Sequence, residues 1–189
     1  ALASRRDEGI LDAVKDFMLD RIDDALEVIA RHLTGKAEWD EMKENAFGAT
    51  NSGLGGARML AMRLARFIAK HRDAEVHLIG HSAGSIFHAP LVELLTGTGG
   101  AGSSRRGLGL KIESCTLWAP ACHMDVFDRS YAPAISGGRI RRFALYTMTD
   151  KAEQDDQCAN IYNKSLLYLV SNAFEERAKI PALRDGEPI

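Results

Sequence analysis

The sequence predicts an α/β fold built on a parallel sheet, and three observations predict it. Three short apolar runs, Val76 to Ile79, Lys111 to Trp118 and Ile140 to Met148, have strand length. Helically spaced apolar residues follow the first run, and strands that alternate with helices pair in parallel. The chain has 189 residues, a length that one hydrophobic core serves. The expectation is therefore a single domain, residues 1–189, with a helical segment over 1–74 and a sheet-bearing core over 75–189.

The elements follow in order. From Ile10 to Leu33, apolar residues at Ile10, Val14, Phe17, Ile22, Leu26, Ile29 and Leu33 recur in steps of three and four, which reads as one long amphipathic helix. Glu38 to Ala46 has room for another helical turn or two, and Asn51 to Gly56 is a loop by its Gly and Asn content. A helix from about Ala57 to His71 should bury Met59, Leu60, Leu64, Phe67 and Ile68. The first strand is closed by Gly80. The helix after Ser82 carries Ile86, Phe87, Leu91, Val92, Leu94 and Leu95, with Pro90 expected to kink it by removing a donor. Gly97 to Gly109 is a Gly- and Ser-rich connection. Ala159 to Arg177 is predicted as a final helix, and Pro181 to Ile189 has no periodicity. No internal repeat is present.

Composition narrows the function. Hydrophobic residues at 46% and charged residues at 26% describe an ordinary globular chain. Twenty-four Lys and Arg against 26 Asp and Glu give a net charge of −2, so no nucleic-acid partner is expected. Apolar runs of a few residues are far short of the ~20 that span a bilayer, so no membrane span is expected. The N-terminus has no methionine and lacks a signal-peptide layout. Three cysteines, Cys115, Cys122 and Cys158, have no metal spacing and fit a reducing, cytoplasmic compartment.

The informative motif is Gly80-His81-Ser82-Ala83-Gly84, a G-x-S-x-G between a buried strand and a helix. A serine at so sharp a turn takes strained backbone geometry, which demands small neighbours. The turn lifts the hydroxyl above the strand end and aims the Ala83 N–H at an oxyanion developing on an attacked carbonyl. The following helix adds its positive end. The bare pattern is a weak signal; the apolar strand before it, the small Ala83 and the helix after it sharpen it.

From about residue 75 onward the sequence resembles the α/β-hydrolase superfamily, in the serine esterase, lipase and thioesterase style. Val76 to Gly84 look like the nucleophile strand and elbow, Leu117 to Ala121 the end of the next strand, and Ala144 to Asp150 the strand whose loop holds the acid. The resemblance implies a serine hydrolase acting on a small-molecule ester or acyl substrate, with no cofactor. Ser82 is the implied nucleophile, the Ala83 N–H the oxyanion donor and Asp150 the acid, with Asp155, Asp156 and Asp125 as lesser candidates. Asp150-Lys151-Ala152-Glu153 also reads as a capping box that opens a short helix. The acyl group, the leaving group and the oligomeric state are not legible.

Two of the family's parts are missing. Its order places a histidine after the acid, yet all six histidines lie at or before residue 123. His77 reads as a core histidine, His81 as the variable elbow residue and His88 as a helix residue. His123, a polar loop residue by its setting, is the one internal substitute as base. The family's earlier strands and its second oxyanion donor are also missing, because residues 1–75 read as helix. One missing part at each end implies a sheet that is incomplete on both sides. The early helix would serve as lid or packing. A non-catalytic interaction module on a degenerate hydrolase fold and an acyltransferase with the same elbow are the alternatives. Gly97 to Gly102 matches G-x-G-x-x-G but follows a helix, which argues against a dinucleotide site. With no H-E-x-x-H or C-x-x-C, no metal is expected.

Overall fold

Alternation along the first apolar run decides how the sheet is built. Leu78 and Gly80 are buried while His77, Ile79 and His81 are exposed, so the strand has one covered face and one open face. The computed structural model describes residues 19–32, 35–97 and 107–176. Their order is α1 (residues 19–32), α2 (Gly35–Asn51), α3 (Gly56–Lys70), β1 (His77–His81), α4 (Gly84–Thr96), β2 (Ile112–Trp118), α5 (Met124–Ser136), β3 (Ile140–Tyr146), α6 (Asp150–Gln154), α7 (Leu166–Leu169) and a π-helical turn (Val170–Phe174). The chain divides into two compact units. Among the described residues, one gathers 19–32 and 35–39 with 149–176; the other gathers 40–97 and 107–148.

The second unit is the α/β unit. Its sheet has the order β1-β2-β3 and every pair is parallel. The register aligns His77, Ser114 and Arg142, then Ile79, Thr116 and Ala144, then His81, Trp118 and Tyr146. The intervening row of Leu78, Cys115 and Phe143, and that of Gly80, Leu117 and Leu145, turn to the other face. That second face is the covered one. Cys115 and Leu117 are fully buried, Leu117 reaches toward Gly80 and α4, and Phe143 meets Phe127 and Tyr131 of α5. Two crossovers of one hand along a sheet of sequential order put both helices on one face, and α4 and α5 pack together there. On the other face Ile79, Trp118 and Tyr146 are each more than half exposed.

Several expectations change here. The helix after Ser82 is present and runs through Pro90, ending at the left-handed Gly97, whose N–H bonds Glu93 O at 2.9 Å. Helix α5 has no counterpart in the sequence expectations, because Asp, Arg, Ser and Pro interrupt its apolar spacing. Helix α3 buries Ala57 and Ala61, leaving Met59, Leu60 and Phe67 exposed. Alanines let α3 approach α4 closely, and long side chains on that face would hold the two apart. His77 is no core histidine: it is exposed, with Nδ1 2.7 Å from Ser114 Oγ and Nε2 3.2 Å from Glu75. Most of the Gly- and Ser-rich connection, the start of the early helix and the tail from Pro181 lie outside the described residues.

The first unit is organised by polar contacts. Helix α1 has Ile22 and Ile29 exposed, against expectation, while Asp23 is 1% exposed. Asp23 Oδ1 accepts from the Asn163 N–H at 3.0 Å and from Asn163 Nδ2 at 3.2 Å. Glu27 accepts from the Tyr162 hydroxyl at 2.6 Å and from Asn172 at 2.8 Å, and Arg31 donates to Ala173 O and Glu175 O. The final helix predicted over Ala159 to Arg177 begins only at Leu166. Ala159 and Asn160 hold φ of 55° and 60°, and Ser165 Oγ caps the late start by accepting from the Tyr168 N–H at 3.3 Å.

Burial also gives the sheet a pH dependence. It pushes the Cys115 thiol up to about 12 and the Cys122 thiol up to about 11, from an ordinary 9.0. Burial raises the Tyr131 hydroxyl too. Above pH 9 the unfolded thiols release protons that the folded ones retain, so stability falls as pH rises from 9 toward the folded values. Thermal melts should show a midpoint that is flat from pH 7 to 8.5 and falls by pH 10.5. The fall should be shallower in Cys122→Ala; an unchanged slope would refute the assignment.

Candidate active site

At the end of β1 the chain must leave the sheet and enter α4 within three residues. It does so through Ser82, whose φ of 49° is left-handed, a conformation that costs a non-glycine residue about 1–2 kcal/mol. The Ser82 N–H donates to Trp118 O at 3.0 Å, which carries the β1–β2 ladder one residue beyond the strand. Next door the pattern repeats: Ala119 has φ of 41° and its N–H donates to Tyr146 O at 2.7 Å. Both strained residues sit at the carboxyl edge of the sheet, where open α/β sheets bind ligands.

The first glycine of the motif has a steric origin. A Cβ at Gly80 would lie 3.0 Å from His88 Cδ2, 3.1 Å from Leu117 Cδ2 and 3.2 Å from the Gly84 carbonyl carbon. His88 cannot easily give way, because its Nε2 donates to Ile79 O at 3.0 Å. The second glycine is different, since a Cβ at Gly84 would meet nothing within 4 Å.

Beneath the turn lies a buried network that the sequence did not announce. The Ser82 carbonyl accepts from the Ser85 N–H at 3.0 Å, from Ser85 Oγ at 2.7 Å and from the Ala121 N–H at 3.2 Å. Ser85 is fully buried, and its Oγ accepts from the Cys122 N–H at 3.0 Å. The Ser85 carbonyl accepts from the Tyr131 hydroxyl at 2.6 Å. Ser82 and Ala83 are themselves half-buried. The N–H groups of Ala83 and Gly84 have no acceptor among the described residues, so the start of α4 presents two unpaired donors beside Ser82.

The structure thus brings Ser82 and Ala83 together in one turn. Asp150 belongs to the other compact unit. Its Oδ1 accepts from the Tyr168 hydroxyl at 2.7 Å and its Oδ2 from Gln154 Nε2 at 2.7 Å. The capping reading of Asp150 is corrected: Thr149 is the N-cap of α6, with Oγ1 accepting from the Ala152 N–H at 3.3 Å. His81 is exposed at the end of β1, and His123 is the N-cap residue of α5 in extended backbone, without a side-chain capping bond. Asp125 lies in the first turn of α5; Asp155 and Asp156 follow α6. A groove along α3, lined by Gly53, Arg58, Met59, Met62, Arg63 and Arg66, includes no elbow residue.

Compared with family models, curated proteins and solved structures, the chain matches none. Among the described residues no helix is long and apolar enough to cross a membrane, and no cluster of His, Cys, Asp or Glu is placed to hold a metal ion. The fold is α/β with a three-stranded parallel sheet.

The two glycines separate by experiment. In urea unfolding, Gly80→Ala should cost about 1–3 kcal/mol through overpacking. Gly84→Ala should leave stability unchanged or raise it by up to about 1 kcal/mol, because alanine favours the helix. Equal effects at both positions would contradict the close-approach argument.

Proposed function

We propose that this chain carries the nucleophile elbow of an α/β-hydrolase-like serine hydrolase, acting on a carboxylic ester or thioester through an acyl-enzyme on Ser82. One observation carries the reading: a serine in left-handed backbone, between a parallel strand and a helix, followed by N–H groups that have no acceptor among the described residues. Strained non-glycine backbone of this kind clusters at functional sites.

In the proposed reaction the Ser82 oxygen attacks the acyl carbon while its proton passes to a base. The carbonyl oxygen becomes an oxyanion that the Ala83 N–H receives, an interaction worth about 3 kcal/mol where such donors have been removed. Collapse expels the alcohol or thiol, which takes the proton back. Water then attacks the acyl-enzyme, releasing the acid and restoring the serine. Asp150, whose carboxylate accepts from Tyr168 and Gln154, is the acid that the resemblance implies; it lies in the other compact unit, and its part rests on the resemblance alone. The family order places a histidine base after the acid, and residues 124–189 supply none. That absence is what favours the second reading, a binding module on the same fold.

Labelling with a fluorophosphonate separates the two. The protein should label at Ser82, and Ser82→Ala should abolish it. A folded parent that does not label, or a Ser82→Ala variant that labels equally, removes the enzyme reading. Acyl transfer to an alcohol or amine in preference to water would convert the proposal from hydrolase to acyltransferase.

A further inference from the structure

We infer that Ser85 is the positioning residue of this site, and that its hydroxyl sets the direction of the Ala83 N–H. The inference rests on the reading of Ser82 and Ala83 given above and adds a residue that neither the motif nor the reaction names. The Ser82 carbonyl and the Ala83 N–H belong to one peptide unit. That unit is planar and trans, with no cis peptide bond among the described residues, so the N–H points opposite to the C=O. Whatever fixes the carbonyl therefore fixes the N–H.

Three donors converge on that carbonyl, and two of them come from Ser85. Its backbone N–H supplies a bond that any residue there would make. Its hydroxyl supplies the shortest of the three at 2.7 Å. The hydroxyl proton has its direction settled as well, because Ser85 Oγ accepts from the Cys122 N–H and so turns its own proton toward Ser82. The residue cannot swing away: it is fully buried, and its carbonyl is tied to the Tyr131 hydroxyl at 2.6 Å. The order of action is Cys122 N–H to Ser85 Oγ, Ser85 O–H to Ser82 C=O, and the rigid peptide plane to the Ala83 N–H. Ser85 itself faces the interior, so it acts through Ala83 and touches no substrate.

The test uses Ser82→Cys, whose thiolate needs no histidine to react. Two reactions are timed at the introduced thiol. With p-nitrophenyl acetate the sulfur bonds the acyl carbon and p-nitrophenolate leaves, through an oxyanion. With iodoacetamide the sulfur bonds carbon and iodide leaves, with no oxyanion. Both consume the thiolate, so the ratio of the two rates cancels the thiolate fraction and, between variants of similar thiol pKa, reads oxyanion stabilisation. Adding Ser85→Ala should lower the ratio about tenfold or more, with alkylation within about twofold of its parent. Ser85→Thr keeps the donor and should hold the ratio near the parent value. Tyr131→Phe removes a bond to Ser85 without freeing the Ser82 carbonyl; it should lower the melting temperature and leave the ratio alone. A ratio unchanged in Ser85→Ala, or lowered as far in Ser85→Thr as in Ser85→Ala, overturns the role of Ser85 while the site stands. A Ser82→Cys parent whose ratio equals that of N-acetylcysteine in solution overturns the site reading, and this inference with it.

Discussion

The peptide groups of Ser82 are the joint on which the α/β unit turns. Its N–H is bonded to the end of β2, and its C=O to the first turn of α4 and to the loop that follows β2. Left-handed backbone at a serine costs about 1–2 kcal/mol. A hydrogen bond between neutral groups contributes roughly 1 kcal/mol net. Four such bonds to one residue outweigh the strain, so the turn is held by the groups around it and not by any preference of its own. Remove those bonds, and the serine would relax into ordinary backbone and the N–H groups after it would lose their direction.

The same joint explains why both left-handed turns lie at one edge of the sheet. Strands in sequential order, joined by two helices on one face, place every strand-to-helix turn at the carboxyl edge. Two of those turns meet: Ser82 after β1 and Ala119 after β2, each reaching to the next strand's last carbonyl. The second face is a different matter. Parallel sheets ordinarily have both faces covered, and here Ile79, Trp118 and Tyr146 stand exposed on the face opposite α4 and α5. Trp118 and Tyr146 pack edge to face at 6.2 Å, so the aromatic row is ordered even where it is open.

The three strands and the sharp turn at Ser82 are legible because their signal is local: apolar runs of strand length, and a Gly- and Ser-containing break between a strand and a helix. The strands lie within a residue or two of the expected runs. What failed was any inference about which side of a helix faces inward. Hydrophobic spacing favoured Met59, Leu60 and Phe67 on α3, but the distance to α4 favours Ala57 and Ala61. On α1 the spacing favoured Ile22 and Ile29, while the side chain that is buried is Asp23, held by Asn163 from about 140 residues away. Asp150 misled in a similar way: the box pattern is present, yet the threonine before it takes the cap. At Asp150 the competitor is the residue next door, while the misses on α1 and α3 concern partners distant in sequence, which periodicity cannot register. Ser85 is illegible for that reason too, since its meaning depends on Cys122 and Tyr131.

The two glycines of the motif show where packing stops explaining the sequence. Gly80 is accounted for by the close approach of His88, Leu117 and α4. Gly84 has no such neighbour, and it lies outside the positive-φ residues, so no backbone strain calls for it. Alanine in that first helical turn would be better by up to about 1 kcal/mol. Stability of the described residues therefore gives no reason for a glycine there. What the glycine does leave is open space where a side chain would begin, at the residue after Ala83; the N–H groups of both have no acceptor among the described residues. An acyl group approaching Ser82 needs that clearance in the proposed reaction, because an oxyanion must come within hydrogen-bond distance of a backbone nitrogen.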